Sequence, residues 1–198
     1  MDSQNTDADI VLQLVQTGMN IVEAVNKVTD ISMRARSTIA PCHDGCSNCC
    51  WQLIGMLQVE WDYIEHWISK QNKGLRKEII RNSKPAIEWL AKHSRLTDQE
   101  QYDQWDGSRP CPFLKNDRCL IYDARPPTCR LTCSLTQCEK KGAGKSNDKG
   151  TGINVYACGA VQALLGRDPR FKHLVPYQHE RPLIYFMAKS SLYSSRGR

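Results

Sequence analysis

Apolar residues recur at helical spacing along the N-terminal part of this chain. Val11, Leu14, Ile21, Val25 and Val28 form one stripe behind Thr6-x-x-Asp9, which has the spacing of a capping box. Together they predict one long amphipathic helix from about Asp7 toward Ser37. Pro41 ends it, because a proline pushes the residue before it into extended backbone. The stripe has two uses: packing inside the chain, or a homodimer formed through the N-terminal helix.

Beyond Trp51 the pattern turns helical again. In VEWDYIEHWISKQNKG, Tyr63, Ile64, Trp67 and Ile68 share a face, and Asn72 to Gly74 supply a stop. A third segment starts at Leu75, breaks at Pro85 and resumes through Ile87 and Leu90. Thr97-x-x-Glu100 caps a short turn. Strand signal is scarce: Asn116-Asp117, between Phe113-Leu114 and Cys119-Leu120-Ile121, marks the one hairpin, which folds Cys119 back toward Cys111. Asn154 is placed to cap a helix from Val155 to Leu165, and PLIYFMAKSSLY reads as helix or strand. The expected fold is therefore mostly α, a single small domain with metal-organised loops and at most a short β-hairpin. Its parts are an N-terminal amphipathic helix (1–40), a cysteine-rich core (41–140) and a basic loop with a C-terminal helical region packing on it (141–198).

Composition narrows the chemistry. A chain of 198 residues, 40% hydrophobic, buries a core of its own. The net charge of +6 comes from 27 basic and 21 acidic residues spread along the chain, which argues against a nucleic-acid grip. No apolar run approaches the ~18 residues of a membrane span. The opening MDSQNTDADI has acids where an export signal has lysines, so a cytoplasmic protein is expected. GAGKS is not a phosphate-binding loop, since the first glycine of that motif falls at Glu139 and no apolar strand precedes it.

Nine of the ten cysteines fall in two windows: Cys42, Cys46, Cys49 and Cys50, then Cys111, Cys119, Cys129, Cys133 and Cys138. In a reducing compartment thiols this dense point to metal rather than to disulfides. Cys46-x2-Cys49 presents two thiolates from one turn, and Asp44-Gly45 lets the backbone bend before it. Adjacent Cys49 and Cys50 diverge, so one of them serves a second metal, a neighbouring sulfur position or the core. Pro110 and Pro112 hold Cys111 in extended backbone. If a helix starts at Pro126-Pro127, Cys129 and Cys133 share a face at i and i+4, with Cys138 near its end. Cys158, alone on an apolar pattern, reads as a core cysteine. Arg125 and Arg130 are candidates to offset thiolate charge and contact a bound cofactor, and His43 is a further candidate ligand.

The run Gly45-Cys46-Ser47-Asn48-Cys49-Cys50, then Glu60, Cys111-Pro112-Phe113-Leu114, Cys119-Leu120-Ile121-Tyr122, Arg125-Pro126 and Cys129-Arg130, resembles the CxxCxxCC, or YkgJ-type, family of zinc- or iron-chelating cysteine cluster proteins. The resemblance spans roughly Cys42 to Cys138. Here the first spacing is Cys42-x3-Cys46, so the strict motif places His43 where the family has its first cysteine. The resemblance implies metal or iron–sulfur binding. One member type, flagellin lysine N-methylase, transfers methyl groups from S-adenosylmethionine to protein lysines, which implies that cofactor and a protein substrate as one option. Nine clustered thiols exceed the four ligands of a structural zinc and favour an iron–sulfur cluster of the 4Fe–4S kind, although two zinc ions fit as well. Two function classes stand: an enzyme using the centre, with Arg125, Arg130 and Glu60 bordering a groove, or a module that stores, delivers or senses metal.

Overall fold

A computed structural model describes residues 6–36, 45–105, 107–132, 160–161, 169–172, 180–190 and 192, the stretch 32–36 by its backbone alone. The chain is mostly α, and its contacts divide it into two compact units, each discontinuous in sequence.

The first unit comprises Met1–Cys42, Arg125–Gln137 and Lys149–His179. Its N-terminal stripe forms two helices, not one: α1 (Asp7–Gln16) and α2 (Ile21–Arg36). The Thr6/Asp9 capping box is present, with each side chain bonded to the other's backbone N–H. The break falls at Gly18, whose φ of +90° is a left-handed conformation that costs glycine little. Gly18 and Met19 donate to the carbonyls of Val15 and Leu14, closing α1, and the Asn20 side chain accepts from Val22 N–H, opening α2. Gly18 itself occupies a stripe position, four residues after Leu14 and three before Ile21, so the apolar spacing runs on through the break. Val11, Ile21, Val25 and Val28 are all buried within the chain. α1 packs on α2, and α2 packs on α6 (Pro127–Leu131). Arg170 pairs with Asp9, and the guanidinium together with the Thr6 bonds holds that carboxyl at about 2. Gly18→Ala is expected to cost about 1 kcal/mol, a purely backbone effect, because an added Cβ meets nothing within 4 Å. Urea unfolding checks it; an unchanged midpoint would mean that the break relocates without strain.

The second unit comprises His43–Ala124, Cys138–Asp148 and Glu180–Arg198. It contains α3 (Gln58–Ser69), α4 (Lys73–Lys92), α5 (Asp98–Gln104) and α7 (Leu183–Lys189). Asn72 begins a helix rather than stopping one: its side chain accepts from Leu75 N–H, and Gly74 lies inside α4. Nor does Pro85 break α4. It is exposed, so water can serve the carbonyl that loses its donor, while Ile79, Ala86 and Trp89 stay buried. The Thr97/Glu100 capping box of α5 forms as expected. The ambiguous C-terminal segment is helical in α7, which packs against α3 and α4.

Two antiparallel pairs complete this unit. Strand β1 (Gly55–Met56) pairs with β4 (Arg181–Pro182), and β2 (Leu114–Lys115) with β3 (Arg118–Cys119). The second pair is the expected hairpin, with Leu114 opposite Cys119. Asn116 and Asp117 have φ of 50° and 59°, the double left-handed turn that matches strand twist. Its core gathers Met56, Trp61, Ile64, Ile68, Ile79, Phe113, Ile121, Leu183, Phe186 and Met187. Trp89, Trp105, Ala86 and Ile184 form a second cluster, in which Trp105 meets Trp89 edge-on at 5.0 Å. Of the helix expected over Val155–Leu165, only Ala160 and Val161 are among the described residues; both are helical and buried. Among the described residues, no helix is long and apolar enough to cross a membrane.

Candidate metal centre

The first cysteine window is a tight reversal. Gly45, at φ +83°, turns the chain into Cys46, and Asn48–Trp51 then forms a single 3₁₀ turn with Cys50 N–H bonded to Ser47 O at 3.0 Å. With three residues per turn, successive side chains project about 120° apart, so the thiols of Cys49 and Cys50 diverge. Asn48 Nδ2 lies 4.0 Å from Cys46 Sγ as a donor. Trp51 O accepts from Trp105 Nε1 at 2.8 Å, which anchors the end of the window to the second aromatic cluster.

The hairpin of the second window is tied to this turn at two places. Cys111 N–H donates to Cys50 O at 2.6 Å, and Ser47 Oγ donates to Asp117 Oδ1 at the hairpin tip. Leu114 N–H bonds back to Cys111 O and Leu120 N–H to Phe113 O, so Cys111 and Cys119 stand at the open end of the hairpin. Both cysteines pack against the core of the unit.

Cys46, Cys49, Cys50, Cys111 and Cys119 belong to the second unit, and Cys129 to the first. All six are partly buried. Cys42, His43, Cys133, Cys138 and Cys158 lie outside the described residues. Among the described residues, no group of three or more His, Cys, Asp or Glu side chains is arranged to hold a metal ion. The donor chemistry nevertheless suits zinc or iron, since partly exposed cysteine thiols are the ligands these metals take. Helix α6 starts at Pro127 as expected and ends at Leu131, with Thr132 extended at ψ 109°; the expected i, i+4 partner of Cys129, Cys133, lies outside the described residues.

The charged candidates sit differently from their sequence reading. Arg130 is buried; its Nε donates to Arg125 O at 2.9 Å and its Nη1 pairs with Asp30 at 2.6 Å, joining α6 to α2. Asp30→Ala is expected to cost about 1–2 kcal/mol, below the loss for a fully buried pair because the Asp30 side chain is 43% exposed. Thermal unfolding measures it, and an unchanged curve would remove the ion pair from the account of this packing. Glu60, a candidate groove residue, is buried too, with Oε2 accepting from Leu57 N–H at 2.6 Å at the start of α3. Burial, opposed by that bond and reinforced by the charge of Glu180, pushes its carboxyl up to about 8.

Sequence reasoning missed Ser47, Asp117 and Asp30, and read Glu60 as a residue bordering a groove at the centre. For Glu60 a signal existed: it lies at the third helical position, where a carboxylate caps its own helix start. For the other three there was none, since their partners lie 70 and 100 residues away.

Compared with known protein families, residues 41–158, more than half of the chain, match the CxxCxxCC family model, described as a "Putative zinc- or iron-chelating domain". No curated protein matches the chain, and no solved structure does.

Proposed function

We propose, on the premise that this chain belongs to the CxxCxxCC zinc- or iron-chelating family, that its two cysteine windows together bind a metal centre: an iron–sulfur cluster of the 4Fe–4S kind, or zinc. The observation that carries this reading is the bonding of the first window to the hairpin, Cys111 N–H to Cys50 O. Cys46, Cys49, Cys50, Cys111, Cys119 and Cys129, with Cys42, Cys133 and Cys138, are the proposed ligand pool. A bound centre would neutralise and cross-link these thiolates. The chain's own contribution is to hold them partly shielded from water, with the Asn48 side-chain amide directed at Cys46 Sγ.

Between the two function classes we favour a cytoplasmic module that stores, delivers or senses metal. A methyl-transfer site needs charged groups facing substrate, whereas Arg130 and Glu60 are buried and bonded to Asp30 and to Leu57 N–H. Protein purified without oxygen tests the reading. Stoichiometric iron and sulfide with thiolate-to-iron absorption would identify a cluster; colourless protein with stoichiometric zinc would identify zinc; absence of both metals would overturn the proposal. Saturable binding of S-adenosylmethionine to loaded protein, lost in Arg130→Ala, would instead favour the enzyme and its protein substrate.

A further inference from the structure

We infer that Ser47 and Asp117 form a clasp that positions the first cysteine window against the hairpin carrying Cys111 and Cys119, and that this clasp raises metal affinity without supplying a ligand. The inference deepens the function proposed above and rests on it.

Ser47 stands between Cys46 and Cys49, where a spacer residue is free to face solvent, yet it is 4% exposed. Its hydroxyl donates to a carboxylate 70 residues away. A hydroxyl on a carboxylate is a charge-assisted bond, about twice as strong as a neutral one. Asp117 occupies a left-handed turn position where glycine is the easiest residue. Its carboxylate there does what glycine cannot: it reaches the first window. The second tie, Cys111 N–H to Cys50 O at 2.6 Å, acts at the opposite end of the hairpin. Tip and base are therefore both fixed, one bond adjacent to Cys46 and the other joining two cysteines. Ligation across the windows closes a loop of some sixty residues, and its entropic cost falls on metal binding unless the fold has already met it. The clasp meets it in the metal-free protein, which is preorganisation.

Two variants separate the clasp from the turn. Ser47→Ala removes the donor; Asp117→Gly removes the acceptor but keeps the left-handed backbone. Asp117→Asn retains an accepting oxygen and is the conservative control. In reduced, metal-free protein, a short bifunctional thiol reagent should bridge first-window cysteines to Cys111 or Cys119, as mapped by peptide mass spectrometry. We expect the bridging yield to fall about tenfold in Ser47→Ala and Asp117→Gly and to be retained in Asp117→Asn, with helical circular dichroism unchanged in all three. In zinc competition titrations the same two variants should bind about tenfold more weakly, the double variant no worse than either single one, while cobalt(II) at saturation keeps the wild-type thiolate charge-transfer intensity. Wild-type bridging and wild-type zinc affinity in both variants would overturn the clasp. Should the wild-type protein bind no zinc, cobalt or iron, the metal-binding reading falls, and the bridging yields alone still decide whether the clasp exists.

Discussion

Cys46→Ser and Cys119→Ser are each expected to weaken metal binding by more than about a hundredfold, beyond the roughly 10–100-fold that loss of an outer hydrogen-bond partner costs. A hydroxyl keeps nearly the size of a thiol but is a poor ligand for a soft site, and neither replacement leaves a buried gap, since both cysteines are only partly buried. Cys158→Ser should leave metal content unchanged. Metal and folding should also be linked, because thiolates gathered without a cation repel one another. Chelation under reducing conditions should loosen the region from Cys42 to Cys138 and raise its rate of cleavage without unfolding the clasp, while α1 and α2, whose apolar stripe is already buried, persist. Metal content after dialysis, and cleavage sites with and without chelator, provide the measurement. Full occupancy in both serine variants would remove these residues from the ligand pool, and equal protease resistance would break the linkage.

The second large effect lies away from the thiols. Glu60→Gln should stabilise metal-free protein by about 3 kcal/mol at pH 7 and flatten its stability profile between pH 4.5 and 8. The folded carboxyl titrates near 8, against an ordinary value of 4.5. Below pH 4.5 the group is protonated both folded and unfolded, and its contribution is fully present. From 4.5 upward the unfolded chain releases the proton while the fold retains it, so stability falls with rising pH until the folded group itself ionises near 8. Glutamine keeps an oxygen for Leu57 N–H and has no proton to lose. Urea unfolding in reducing buffer from pH 4.5 to 8.5 distinguishes the two proteins. Parallel profiles would mean that Glu60 does not reach a water-poor environment.

Much of the fold was legible because its signals are local. Thr6 with Asp9 and Thr97 with Glu100 act within one helical turn, and both capping boxes form. Asn116-Asp117 prefers the left-handed turn in any context, and the hairpin takes the expected register. The failures arose where a local signal is ambiguous in direction. Asn72 suits a helix end or a helix start, and only the chain that follows decides. Gly18 interrupts a stripe whose phase continues across it, so periodicity alone reports one helix where there are two.

The candidate site divides along the same line. Sequence alone determined its chemistry: thiols in two windows, a bend before Cys46, a hairpin between Cys111 and Cys119, and membership of a chelating family, all properties of residue type and short spacing. Only the tertiary structure decided which partners the polar groups near those windows would take. Ser47 found Asp117, Arg130 found Asp30, and Glu60 was withdrawn from solvent to cap its own helix. Propensity and capping act over a few residues, whereas burial and long-range pairing depend on which surfaces meet once helices pack, and that is not written at any single position.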